Sequence, residues 1–233
     1  MRLKDKVILI TGGYTGIGRA ITRQCVKEGA KIVINGLREE LGQELLKEFE
    51  SDQATTITID ITEDGAPGKL IQKALDTFGK LDAVVNNAAI VASSNMKSTT
   101  VPYLERMLAV NTIAPFSIIQ EALPHLQKTK GNVVNIGSIN SWSGEPNLLA
   151  YSISKGALMT MSRNLGDTLF RENGVRVNQI NPGWVLTERE IIDKRKQGMT
   201  SDWYKDLPDM FAPAMIPVTA GKNSANIVNR DSF

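Results

Sequence analysis

Six short runs rich in apolar and β-branched residues punctuate the chain: KVILIT (6–11), KIVIN (31–35), TTITID (55–60), LDAVVNN (81–87), GNVVNIGS (131–138) and VRVNQINPG (175–183). Continuous rather than alternating β-branched residues are the pattern of strands covered on both faces. Between the runs, apolar residues recur with a helical period near 17–29, 39–50, 66–78, 101–128 and 150–173. Strand alternating with helix predicts βαβ units with right-handed crossovers, and hence an α/β fold built on a doubly wound parallel sheet of six strands. No linker, repeat or low-complexity tract interrupts the pattern before Thr187. Beyond it, EREIIDKRKQ reads as a charged helical segment, and the last residues carry three prolines, scattered aromatics and no clean period. The expected organisation is a core over 1–187, with a lid and an atypical tail of the same domain over 188–233.

Composition narrows the class of partner. A net charge of +2 without any Lys/Arg block argues against nucleic acid or a membrane surface as a partner. Cys25 is the only cysteine, so no intrachain disulfide can form, and its position reads as a small apolar residue of the first helix. The start, MRLKDKVILITGG, is basic, but its short apolar run leads straight into a glycine turn, as a first strand does and a signal peptide does not. No apolar stretch approaches the roughly 18 residues that cross a bilayer. The expected setting is the cytoplasm.

The first candidate chemistry is TGGYTGIG, Thr11 to Gly18, between the first strand and the first helix. Gly12 lets the chain turn sharply, while Gly16 and Gly18 clear side chains where backbone must approach a pyrophosphate and helix must pack on strand. The new helix points its free N–H groups at the phosphates. Gly12, Tyr14, Thr15, Gly16, Ile17 and Gly18 are therefore the candidate phosphate cradle. In an open parallel sheet the ligand lies at the carboxyl ends of the strands. Gly12, Asn87, Ser138 and Gly183 all sit just past such ends, so distant stretches converge on one crevice, with Tyr151 and Lys155 opening the helix beside it. Hydride transfer at a carbonyl needs a proton donor or acceptor at its oxygen. A phenol serves only if positive charge favours its phenolate, and Lys155 lies one helical turn from Tyr151. Taken singly, Tyr151–Lys155 also fits a solvated helix pair, Ser138 a strand-end cap, and Asn111 a kink or buried polar group near Pro115.

In this order, the motifs resemble the short-chain dehydrogenase/reductase family, a Rossmann-type fold. The matching residues are the Thr11–Gly18 loop, NNAA at 86–89, Asn111 in AVNTIAPF, Ser138 closing NVVNIGS, the Tyr151/Lys155 pair, and NPGWVLT at 181–187. The resemblance spans residues 6 to about 187. It implies an NAD(P)-dependent oxidoreductase acting on a secondary alcohol or ketone, with a catalytic set of Asn111, Ser138, Tyr151 and Lys155. Tyr151 would be the general acid/base and Lys155 would lower its pKa while holding the nicotinamide ribose. Ser138 would orient the substrate oxygen, and Asn111 would hold a water of the proton relay. The substrate side is assigned to Ser138, Asn140, Trp142 and Tyr151, and Trp203 and Tyr204 lie where the family keeps its lid.

The resemblance also implies cofactor contacts at Asp60 and Ile61, Asn87 and Ala88, Pro182 and Gly183, and Val185 and Thr187. Asp60 reads equally as the N-cap of the next helix. In NAD-binding relatives an acid ends the second strand, but Asn35, Gly36 and Leu37 are not acidic. Arg38 can meet a 2′-phosphate, and a guanidinium suits one geometrically. Glu39 and Glu40 read as the first turn of the second helix. Tyr14 counts the other way, standing where many NADP users carry a basic residue. The reading favours NADP over NAD. His125 has no partner cluster, and no Cys/His/Asp spacing indicates a metal site.

Two departures from the pattern stand out. Ala89 replaces a glycine, a change tolerated if its φ is negative. The tail AMIPVTAGKNSANIVNRDSF shows neither the helix nor the seventh strand with which relatives close. The face that relatives use to form a homodimer or homotetramer, on helices 101–128 and 150–173, is retained. Two other readings are open. One is a catalytically impaired nucleotide-binding regulator or scaffold, and the other an epimerase or dehydratase of the extended branch; the short chain and the glycine spacing weigh against the latter.

Overall fold

All six apolar runs form strands and pair into one parallel sheet in the order β3-β2-β1-β4-β5-β6. The computed structural model describes residues 1–196, 198–200 and 216–217, so Trp203, Tyr204 and most of the expected lid and tail lie outside the described residues. The strands are β1 (Val7–Ile10), β2 (Lys31–Gly36), β3 (Ala54–Thr58), β4 (Ala83–Asn86), β5 (Asn132–Ile136) and β6 (Arg176–Ile180). Order reverses between β1 and β4, which opens a crevice at the carboxyl edge of the sheet. The six-stranded, doubly wound expectation holds. Apart from the sheet, Val185–Leu186 pairs in parallel with Ile216–Pro217.

Alternate residues of each strand feed two cores. Val7, Leu9, Val33, Val84 and Val133 pack with Leu70, Ile118 and Leu169 on one face. Ile8, Ile10, Ile32, Ile34 and Val85 pack with Ile21, Cys25 and Leu45 on the other. Cys25 is the buried apolar residue expected, and burial pushes its thiol up to about 12.

The helices are α1 (Gly16–Lys27), α2 (Glu39–Leu46), α3 (Ala66–Phe78), α4 (Val101–Leu108), α5 (Ala114–Thr129), α6 (Asn140–Ser143), α7 (Leu149–Asn173) and α8 (Glu188–Lys196). Glu39 and Glu40 do open α2. Two expected helices are corrected. The segment 39–50 leaves the α-helix at Leu46, because Lys47, Glu48 and Phe49 donate to carbonyls only three residues back. The segment 101–128 is not one α-helix: Ala109–Ile113 is a π-turn between α4 and α5. Pro115 lacks the N–H that the Asn111 carbonyl would accept in an α-helix, so the ladder widens there.

Candidate active site

The glycine turn is built by its neighbours. Thr11 Oγ1 accepts from the backbone N–H groups of Asn87 (3.0 Å) and Ala88 (3.1 Å), and Asn87 Nδ2 donates to the carbonyls of Thr11 and Gly12, both at 3.0 Å. Asn87, expected at the cofactor, thus clamps β4 to the turn. Gly12 has φ +61°, and a Cβ there would stand 2.8 Å from Ala88 Cα. A Cβ on Gly16 would lie 3.5 Å from Thr187 Cγ2, so Thr187 stands over the turn. Thr15, the N-cap of α1, makes no side-chain cap bond, and no acid sits in the first turn. The leading N–H groups of a full helix therefore face a cradle that side chains would fill, which fits a dinucleotide pyrophosphate. Ala89 is not among the residues with positive φ, so replacing glycine there costs no backbone strain.

Tyr151, Lys155, Leu158, Ser162 and Leu169 share the buried face of α7. The start of that helix is pinned by Ser94 of the loop after β4, whose Oγ accepts from Ala150 N at 3.1 Å and whose carbonyl accepts from Leu149 N. Burial raises the Tyr151 phenol above its ordinary value, opposed by a hydrogen bond with the Ser138 hydroxyl. That hydroxyl also accepts from Asn140 N at 3.1 Å. Lys155 Nζ lies 5.8 Å from the centre of the Tyr151 ring and donates to the Ile136 carbonyl at 2.7 Å. Burial lowers the ammonium to about 8.

That shift predicts a pH-dependent stability. Between about pH 8 and 10.5 the unfolded chain holds a proton on Lys155 that the folded chain has released, so folding stability rises with pH there. Below pH 8 the buried charge costs roughly 3 kcal/mol. Replacing Lys155 by Met relieves that cost and orphans the Ile136 carbonyl, worth about 1–3 kcal/mol. Lys155→Met should therefore nearly match the wild type at pH 7 and fall behind it above pH 10 in urea unfolding. Equal pH slopes for the two proteins would refute the buried-charge account.

Asn111 is fully buried in the π-turn. Its Oδ1 accepts from Ile90 N at 2.8 Å, and its Nδ2 donates to Ile90 O at 2.9 Å and Ser154 Oγ at 3.0 Å. Both amide hydrogens are committed, so a relay water held by this side chain would be left to the lone pairs of Oδ1.

Other expected residues are placed differently. Asp60 does not cap α3, whose N-cap is Gly65. Its Oδ1 accepts from Thr62 N and Oγ1, and its Oδ2 pairs with Arg106 at 2.8 Å. Burial alone would raise this carboxyl, but the bonds from Thr62 and Arg106 outweigh it and hold the pKa low. Ile61 beside it is buried in the core. Tyr14 turns its side chain inward rather than toward the groove. Trp142 is 60% exposed and lines a hollow of about 460 Å³ against α7 and β6, and Tyr151 and Lys155 do not line it. Among the described residues no cluster of metal-ligating side chains occurs, and no helix is long and apolar enough to cross a membrane.

Sequence reasoning missed a polar row at the carboxyl end of the sheet. Asn86 donates to Asn135 Oδ1 (2.9 Å), Asn135 to Ser162 Oγ (2.8 Å), and Gln179 to Asn181 Oδ1 (2.7 Å); Ser162 and Gln179 meet at 2.9 Å. Asn181 Oδ1 also accepts from Ser138 N at 3.1 Å, so the row ends on the residue that meets Tyr151. Its signal in the sequence was polar residues interrupting apolar runs.

The short chain dehydrogenase family model matches residues 6–197. The chain is 35% identical over 191 residues to the NADP-dependent (R)-specific alcohol dehydrogenase of Lentilactobacillus kefiri, covering 80% of this chain and 75% of that one. It is 36% identical over 187 residues to L-fucose dehydrogenase of Mus musculus, covering 80% and 67% respectively. A crystal structure of a short-chain dehydrogenase/reductase of unknown function from Caenorhabditis elegans, with cofactor, superposes with a TM-score of 0.82 at 28% identity. That match covers 98% of this chain and 88% of the other.

Proposed function

This chain belongs to the short-chain dehydrogenase family, and from that premise we propose that it moves a hydride between NADP and a secondary alcohol or its ketone, with Tyr151 as general acid/base. The family's members are NAD(P)-dependent oxidoreductases, so a small-molecule substrate follows. The observation that carries the finer reading is the meeting of the Ser138 hydroxyl, the Tyr151 phenol and the Lys155 ammonium at the carboxyl edge of the sheet, beside the glycine turn.

Bound NADP supplies the carbon that gives or takes the hydride. The chain's own residues do the rest. As a ketone is reduced, charge grows on its oxygen; the Ser138 hydroxyl donates a hydrogen bond to that oxygen and Tyr151 hands it a proton. Hydride and proton together make the alcohol, and Tyr151 is left as phenolate. Lys155, charged below about pH 8, stabilises that phenolate across the helix turn. Asn111 is assigned the water that returns the proton, held at its free lone pairs. Oxidation runs the same steps backwards.

Arg38 supports the choice of NADP: it is exposed at the N-cap of α2, beside a second strand that ends without an acid. Self-association is assigned to the outer faces of α5 and α7, where Phe116, Ile153 and Phe170 are exposed. Nicotinamide absorbance followed across a panel of secondary alcohols and ketones tests the reading. Turnover with NADP, at higher kcat/KM than with NAD, is the expected result. Dinucleotide binding without turnover on any member would instead mark a regulator that kept the fold.

A further inference from the structure

Tyr14 stands in the glycine turn, yet its ring is only 4% exposed and belongs to the core beneath. The hydroxyl is 3.2 Å from Thr58 Oγ1 at the end of β3. Between those anchors the ring lies against two glycines. A Cβ on Gly36, the last residue of β2, would stand 2.0 Å from Tyr14 Cδ2 and 2.5 Å from Cγ. A Cβ on Gly42 of α2 would stand 2.7 Å from Tyr14 Cζ. Both approaches are closer than real Cβ contacts come, so with Tyr14 in place neither position accepts a side chain without moving the ring. The ring cannot yield easily, because Thr58 holds its hydroxyl end and the core packs round it.

Position 36 has a particular meaning in a doubly wound sheet. It lies at the carboxyl end of the strand next to the phosphate turn, where an acidic side chain accepts hydrogen bonds from the adenosine ribose hydroxyls and repels a 2′-phosphate. We propose that Tyr14 is the specificity-determining residue of this subsite. By filling the room that a side chain at position 36 needs, it keeps an acid out of the ribose site. Arg38 follows two residues beyond that end of β2; it is exposed, and no acidic partner engages it among the described residues. The subsite therefore takes an adenosine carrying a 2′-phosphate. Tyr14 acts from below the groove, since burial to this degree leaves little of its ring to meet a ligand directly. The inference rests on the dinucleotide reading above, and its test separates the two.

The test is a pair of cycles on Tyr14 and position 36. In the first, Gly36→Ala adds only a methyl group, and melting temperatures are compared in the wild-type and Tyr14→Ser backgrounds. Gly36→Ala should lower the melting temperature by several degrees beside Tyr14 and leave it unchanged in the Tyr14→Ser background, where the ring is gone. In the second, 2′,5′-ADP and 5′-AMP are titrated calorimetrically into the wild type, Gly36→Asp, and Tyr14→Ser combined with Gly36→Asp. The wild type should bind 2′,5′-ADP at least about tenfold more tightly than 5′-AMP, and the double variant should reverse that preference. Gly36→Asp alone should lose stability and bind both probes weakly. Additive melting shifts, or a preference reversed as fully by Gly36→Asp alone, would overturn the role of Tyr14. A wild type that prefers 5′-AMP would overturn the NADP reading instead, while the melting cycle still decides whether Tyr14 excludes a side chain at position 36.

Discussion

Tyr151→Phe should lower kcat by about a thousandfold while leaving the Kd for the dinucleotide within about twofold. The ring stays, so packing against Met107 and Ala150 is kept; only the proton and its bond to Ser138 are lost. Calorimetric titration separates binding from turnover here. A variant that lost binding in proportion to turnover would place Tyr151 in the cofactor scaffold instead. The magnitude follows from what is removed: a positioned acid at the oxygen that receives charge.

The second large effect lies in the glycine turn. A Cβ on Gly18 would stand 2.3 Å from the Gly12 carbonyl oxygen and 2.5 Å from Asn87 Nδ2. The first neighbour is backbone and the second holds that backbone in place, so neither can retreat cheaply. Gly18→Ala should therefore weaken dinucleotide binding by about a hundredfold and lower the melting temperature as well. Gly68 in α3 is the control, because a Cβ there meets nothing within 4 Å. Gly68→Ala should raise stability by about 0.4–1 kcal/mol and leave binding alone. Equal behaviour of the two variants in binding and melting would refute the cradle.

Much of this was legible from the order of residues. Runs rich in apolar and β-branched residues located all six strands; β1, β2, β4 and β5 are buried almost throughout and have no polar side to show, whereas β3 and β6, at the edges of the sheet, are only partly buried. Tyr151 and Lys155 are four apart on a helix, so their neighbourhood follows from helical geometry without knowing the fold. What escaped depends on register between distant strands. Asn86, Asn135 and Gln179 are adjacent only because β4, β5 and β6 align those residues side by side. The inward turn of Tyr14 depends on the missing side chains of Gly36 and Gly42, which one strand and one helix supply separately. The π-turn had a local sign in Pro115, but a proline before a long helical pattern reads equally as a helix start.

Ser94 illustrates the same limit from another side. Nothing around it in the chain suggests that it caps α7, since the helix it serves begins 55 residues later, at Leu149. The bond matters because the first turn of α7 carries Tyr151, and a frayed start would loosen the phenol from Ser138.

The most direct test of Tyr151 as the proton-transferring group is the pH dependence of kcat/KM for alcohol oxidation, measured on the wild type and on Tyr151→Phe. The free chain holds the phenol protonated, since burial raises its pKa. Oxidation needs the phenolate, so wild-type kcat/KM should climb with pH toward a plateau. The residual rate of Tyr151→Phe should show no such climb. The same rising profile in both proteins, offset only in magnitude, would contradict the assignment.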